Sequence, residues 1–247
     1  MLDIDKYPFE IKLSKTLPLY KTKHFNIYYY PNSYAEKQIE AIAVQREKAY
    51  SDIALFLNTH IEMNMDLYLF NDAETKESET NHIGNGWAFA NVMVEIYNET
   101  TKCHPYHELV HIFAIELYGN AVSLFSEGLA VYISEYFCNY DFGDYVNFNT
   151  HEKVKKFYET NRLFTLKEMF AFQIGTSISK PKISYPQAAS IIKYIYGVLG
   201  NDKFYCLYKT LNADYPDEGI EKNIFEFEKC MGKPVEQVYD DWLTTIV

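Results

Sequence analysis

The 247-residue sequence is short of positive charge, of paired cysteines and of long apolar runs, and each shortage closes off a class of function. Lys and Arg number 23 against 34 Asp and Glu, a formal net charge of −11. A nucleic-acid-binding surface is normally basic, so no nucleic-acid partner is expected. Four cysteines, Cys103, Cys138, Cys206 and Cys230, lie scattered with no C-x-x-C pair. A chain of this length needs no disulfide scaffold, and these are expected to be structural thiols. No stretch approaches the ~18 apolar residues that a membrane-spanning helix requires. The opening from Met1 to Pro8 has neither a basic start nor the apolar stretch of a secretory signal. The expectation is therefore a cytoplasmic protein, with secretion the alternative where a leader has been removed. There is no internal repeat, low-complexity tract or long linker.

What remains is the composition of a folded protein, 48% hydrophobic and 23% charged. Aromatic residues reach 17%, including 23 tyrosines, suited to core and half-buried strand positions and also to a peptide-binding cleft. The first twenty residues read as a strand or extended arm with apolar positions at Ile11, Leu13, Leu17 and Leu19. His24–Tyr30 reads as a strand closed by Pro31. Ser33 with Glu36 forms a capping box opening one long helix to about Leu57. Met65–Phe70 alternates as a strand, 73–81 is polar and loop-like, and Trp87–Tyr97 reads as one further strand. After Phe137, residues 139–149 and 174–183 read as loops. Helices are expected at 151–160, after Thr165 with its capping partner Glu168, from Ser184 to Gly200, and in three segments to the C-terminus separated by breakers at 214–216 and 231–233.

The stretch that organises the chain is His107-Glu108-Leu109-Val110-His111. On a helix, residues four apart share a face with Cβ atoms about 5 to 6 Å apart, so both imidazoles can reach one ion. Glu108 then lies beside the ion, where a general base takes a proton from a metal-bound water. Pro105 suits the entry to such a helix, and Gly119-Asn120 provides a left-handed stop. A second apolar helix, from about Ser126 as N-cap to Phe137, carries Glu127 in its first turn. An antiparallel return can set that carboxylate opposite the histidines, giving the three protein ligands of catalytic zinc sites. Gly128 suggests a close approach of this helix to the metal helix. Cys103 is near in sequence, but two histidines and Glu127 already suffice.

HELVH followed by LFSEGLAVY resembles the gluzincin branch of the zincin metallopeptidases, in the broad peptidase MA-like superfamily. The resemblance implies that His107, His111 and Glu127 hold one Zn2+ and that Glu108 is the catalytic base. It implies an α+β, zincin-like fold. An N-terminal subdomain (1–118) would hold a small mixed β-sheet, a long helix and the HExxH helix. A mainly helical C-terminal subdomain (119–247) would carry the third zinc ligand, with a cleft between the two. In such enzymes the strand before the metal helix pairs with extended substrate, a role that falls on Trp87, Ala88, Phe89, Ala90 and Asn91. The aminopeptidase relatives place a glutamate within Gly-Ala-Met-Glu-Asn on this strand; Gly86-Trp-Ala-Phe-Ala-Asn91 has none, which leaves endopeptidase action or another exopeptidase design open. Tyr185, at the head of a C-terminal helix, is positioned by resemblance to hydrogen-bond an oxyanion, the alternative being a tyrosine packed at a helix start. His151 is expected to face solvent. Val131 occupies the position where some gluzincins have a supporting aspartate, and Glu135 or Glu95 could serve instead. The functional expectation is a zinc-dependent metallopeptidase acting on a peptide or protein, and the alternative is a catalytically inactive zinc- and peptide-binding protein. The sequence does not give the oligomeric state.

Overall fold

A computed structural model describes residues 13–137, 149–173, 180–211 and 218–247. The extended arm up to residue 12, most of the 139–149 and 174–183 loops, Cys138 and the breaker at 214–216 lie outside the described residues. The chain divides into two compact units, one running to Phe113 and the other beginning at Ala114.

The first unit contains a five-stranded mixed sheet in the order β1-β2-β3-β5-β4. Its strands are β1 (Leu19–Lys21), β2 (Phe25–Tyr29), β3 (Met65–Phe70), β4 (Gly86–Phe89) and β5 (Val92–Ile96). The middle strands β2, β3 and β5 run parallel, with β1 and β4 antiparallel at the edges. Parallel neighbours need a crossover, and between β2 and β3 the chain supplies α1 (Tyr34–Lys37) and α2 (Ile39–Phe56). The single long helix expected here is broken at Gln38, which leaves the helical region (φ −112°, ψ 8°). Ser33 caps α1 by accepting from the Glu36 N–H at 3.0 Å. The Glu36 carboxylate accepts from Asn32 rather than Ser33, so the capping box is incomplete.

Two further expectations need correction. Residues 73–80 are helical, forming α3 (Ala73–Thr80). Asp72 caps the helix by accepting from the Thr75 N–H at 2.7 Å, and the face turned inward carries Lys76 and Thr80, both fully buried. Those residues leave no hydrophobic period to read. The single strand 87–97 is a hairpin: β4 and β5 are joined by Ala90-Asn91, with Ala90 in the left-handed region at φ 48°. Such turns favour glycine or asparagine, and alanine gives little sequence signal. Ten residues separate β5 from the metal helix, α4 (His107–Tyr118). That helix ends at Gly119 (φ 90°), whose N–H donates to Ile115 O at 3.0 Å.

Strand alternation sorts the sheet into two faces. Tyr28, Tyr68, Phe70, Phe89 and Val94 cluster on one, with Trp87 against them. Gly86, Ala88, Met93 and Glu95 belong to the other, where Arg46 of α2 bonds to Glu95.

The second unit is helical in its described residues: α5 (Ser123–Phe137), α6 (Thr150–Glu159), α7 (Leu166–Phe170), α8 (Pro181–Thr210), α9 (Glu218–Met231) and α10 (Val235–Ile246). Gly200 ends a helix as expected: at φ 68° and ψ 173° it leaves the helical region, and α8 is two helical stretches meeting at that kink. The Thr165–Glu168 capping box on α7 is complete, with both reciprocal bonds. Ser126 is not an N-cap, because α5 starts three residues earlier; the N–H groups of Phe125 and Ser126 already donate to Val122 O at 2.8 and 3.0 Å.

Candidate metal centre

His107 and His111 leave α4 one turn apart, and their Nε2 atoms are 3.4 Å from each other. The rings meet nearly edge to face, at 81° with centroids 5.0 Å apart. Two nitrogens each ~2.0 to 2.1 Å from a tetrahedral zinc would be separated by roughly 3.3 to 3.4 Å, so this pair is already at the spacing of two ligands of one ion. The Glu127 carboxylate completes a group whose ligand atoms all lie within 4.8 Å of one another. Two imidazoles and one carboxylate match the donor set of catalytic zinc sites with an open fourth position. The residues present therefore fit the ion.

Glu127 is 4% exposed on α5, and its neighbour Gly128 explains how that stretch is held. A Cβ at Gly128 would come within 2.9 Å of Ala188 O. A close approach at this glycine is thus made to α8. Tyr208, buried on α8, has its hydroxyl pKa raised by burial and secondarily by the Glu127 charge.

Glu108 is 8% exposed, and its carboxylate is turned toward the edge strand. A Cβ at Gly86 would stand 2.6 Å from Glu108 Oε1 and 3.2 Å from Cys103 Sγ. Only a residue without a side chain lets β4 lie this close. Burial pushes the Cys103 thiol well above its ordinary range, reinforced by Glu95 and Glu108. It is a protonated thiol at neutral pH, a poor nucleophile and a poor metal ligand. Burial likewise holds His104 neutral, its pKa lowered to about 3 with His107 and Arg46 contributing.

The remaining site expectations divide. Trp87, Ala88 and Phe89 lie on edge strand β4, but the Trp87 and Phe89 rings pack with each other (4.5 Å) on the aromatic face, away from Gly86 and Ala88. Ala90 and Asn91 form the hairpin turn rather than strand, and the Asn91 side chain donates to Asn64 O at 2.9 Å. Tyr185 is not at the head of its helix: α8 begins at Pro181, so Tyr185 sits a full turn inside, half-buried, with its ring 6.0 Å from Phe172. His151 is half-buried rather than solvent-facing, with Nδ1 2.6 Å from Ser190 Oγ. Glu135 is committed elsewhere, accepting from Thr150 N–H (3.2 Å) and Oγ1 (2.7 Å) and from Lys193 Nζ (3.4 Å). Glu95 is fully buried and paired with Arg46. Arg46 was not expected to take part, and it carries no sequence signal beyond an arginine placed where α2 is otherwise apolar.

No family model and no curated protein matches the sequence. Solved structures do. One is a crystal structure of an M1 zinc metallopeptidase from Deinococcus radiodurans, a glutamate-to-alanine mutant. It aligns over 98% of this chain and 52% of its own, at 12% identity and a TM-score of 0.51. A two-domain M1 zinc metallopeptidase mutant bound to L-tryptophan aligns over 92% of this chain and 50% of its own, at 11% identity and a TM-score of 0.45. The first similarity establishes the fold: a mixed sheet with a mostly helical remainder, resembling an M1 peptidase domain. The chain spans about half the length of those proteins.

Proposed function

We propose that the protein is a zinc-dependent metallopeptidase of gluzincin type, a hydrolase that cleaves peptide bonds in a peptide or protein substrate. The observation that carries this reading is the grouping of His107, His111 and Glu127 within 4.8 Å, with Glu108 buried beside it. These three residues would hold one Zn2+, which when bound supplies Lewis acidity and an acidified water. Glu108 accepts a proton from the attacking water and delivers it to the leaving amine. β4, which carries Trp87 to Phe89, is the outermost strand of the sheet order, the kind of element that takes up an extended peptide by strand addition, and Tyr185 is the candidate donor to the oxyanion on the scissile carbonyl. Among the described residues no helix is long and apolar enough to cross a membrane.

The test is Glu108→Gln assayed with wild type on a mixed peptide library with added zinc, alongside metal analysis. Wild type should bind one zinc and cleave. Glu108→Gln should keep the zinc and lose on the order of 10²- to 10⁴-fold in rate, the usual share of a general base. Undiminished turnover by that variant overturns the role of Glu108. Stoichiometric zinc in a wild type that cleaves nothing would favour the alternative, an inactive zinc- and peptide-binding protein.

A further inference from the structure

Arg46, midway along α2, and Glu95, on β5, form an ion pair almost wholly withdrawn from water, 2% and 0% exposed. The contact is a fork: Nη1 donates to Oε1 at 3.0 Å and Nη2 to Oε2. Arg46 Nη1 also donates to Pro105 O at 3.2 Å, two residues before His107. Glu95 in turn is paired across the hairpin with Gly86, the residue whose missing side chain makes room for Glu108. Glu95 and Glu108 therefore share one side of the sheet next to the same backbone. Burial dominates in raising the Glu95 pKa; Arg46 opposes that rise, Glu108 adds to it and His107 also opposes it.

A buried ion pair is a poor stability device. The desolvation of two charges offsets their attraction, and well-packed apolar residues of similar size are often as stable or more so. Its position against the metal helix calls for another explanation. Metal-binding histidines depend on surrounding carboxylates and carbonyls for orientation, and loss of such support typically lowers metal affinity 10- to 100-fold.

We propose that Arg46 and Glu95 are positioning residues for the metal-binding helix. Arg46 fixes the main chain at Pro105, just ahead of His107, and Glu95 holds the Arg46 guanidinium in place through the fork. This inference rests on the zinc centre proposed above. It predicts that the pair matters to metal binding more than to folding.

The experiment measures zinc affinity by competition with a chelator, together with the melting temperature of the zinc-free protein. The samples are wild type, His107→Ala, the double variant Arg46→Met with Glu95→Met, and the charge-conserving variants Arg46→Lys and Glu95→Asp. The double variant should melt no lower than wild type yet bind zinc 10- to 100-fold more weakly. Arg46→Lys keeps the charge but loses the fork and should also weaken zinc binding. Unchanged zinc affinity in a folded double variant overturns the proposal. Should the double variant not fold, wild-type affinity in both Arg46→Lys and Glu95→Asp overturns it, and weakened affinity in either supports it. Wild type that binds zinc through His107 while the variants bind it equally well removes this inference alone. Wild type that binds no zinc removes the metal centre with it.

Discussion

Strand pairing sets Tyr28, Tyr68, Val94 and Trp87 side by side in one row of the sheet; the adjacent row, on the opposite face, is Tyr29, Leu69, Glu95 and Gly86. In the first row the rings stack, Tyr28 on Tyr68 at 4.4 Å, and the gain is buried area and aromatic contact. In the second, a residue with no side chain stands opposite a buried carboxylate. The space it leaves is taken by Glu108, and the charge opposite is met by Arg46. One residue of register thus separates an apolar, aromatic row from a row that sets ionisable groups among the buried apolar residues of its own face, Leu67, Leu69 and Met93. A side chain in the first row should affect folding with little effect on chemistry, and one added at Gly86 in the second the reverse.

The hardest test of that division is His107→Ala, which removes a proposed ligand without touching either row. Bound zinc and hydrolysis should both fall to background while far-ultraviolet circular dichroism stays that of wild type. Metal retained at full stoichiometry would contradict the ligand set. Next comes Gly86→Ala. An added Cβ would lie 2.6 Å from Glu108 Oε1, so the carboxylate must shift. Displacement of a reacting group by about 1 Å can cost on the order of 10²-fold in rate. The expected result is that drop in kcat with zinc still bound; an unchanged kcat would show that this face tolerates a side chain and that Glu108 is not held by β4.

Much of this arrangement is legible in the sequence where the signal is local. β2 and β3 show as runs of β-formers, α4 shows through its apolar residues and the stop at Gly119, and α7 through Thr165 and Glu168. The nearness of His107 and His111 follows from helical spacing alone. Gly128 announces a close approach, but its partner, α8, begins more than fifty residues later and no local pattern names it. α3 is hidden because its buried face is Lys76 and Thr80, which carry no hydrophobic period. The β4–β5 turn is hidden because Ala90 takes a left-handed conformation without being glycine. Glu95 is legible only as one of two candidate carboxylates, and Arg46, 49 residues away, is not legible as its partner until the fold brings them together.

On the aromatic face the comparison predicts a stability effect alone. Phe70, fully buried in the cluster with Tyr28 and Tyr68, should cost about 3 to 5 kcal/mol on replacement by alanine. Chemical denaturation should register that loss, and kcat per folded molecule should stay near wild type. A fall in kcat comparable to that of Gly86→Ala would mean that the two faces are not separable.

The smallest expected effect lies at His82, which touches both sides of the comparison. Its ring stacks on Trp87 at 5.0 Å and 11°, while its Nδ1 and carbonyl oxygen face Lys76 Nζ at 2.9 and 3.1 Å. Lys76 in turn is buried within electrostatic range of Cys103 and Glu108. Burial, with the Lys76 charge second, lowers the His82 pKa from 6.5 to about 4. Below pH 6.5 the unfolded chain gains a proton that the folded chain does not take up until about pH 4. The contribution of His82 is therefore complete above pH 6.5, declines as the pH falls through this window, and is lost below about 4. Melting temperatures measured from pH 7 to 4 should fall more steeply for wild type than for His82→Gln. Parallel curves would show that His82 is not held neutral between Lys76 and Trp87, and that the junction between the two faces carries no charge-dependent strain.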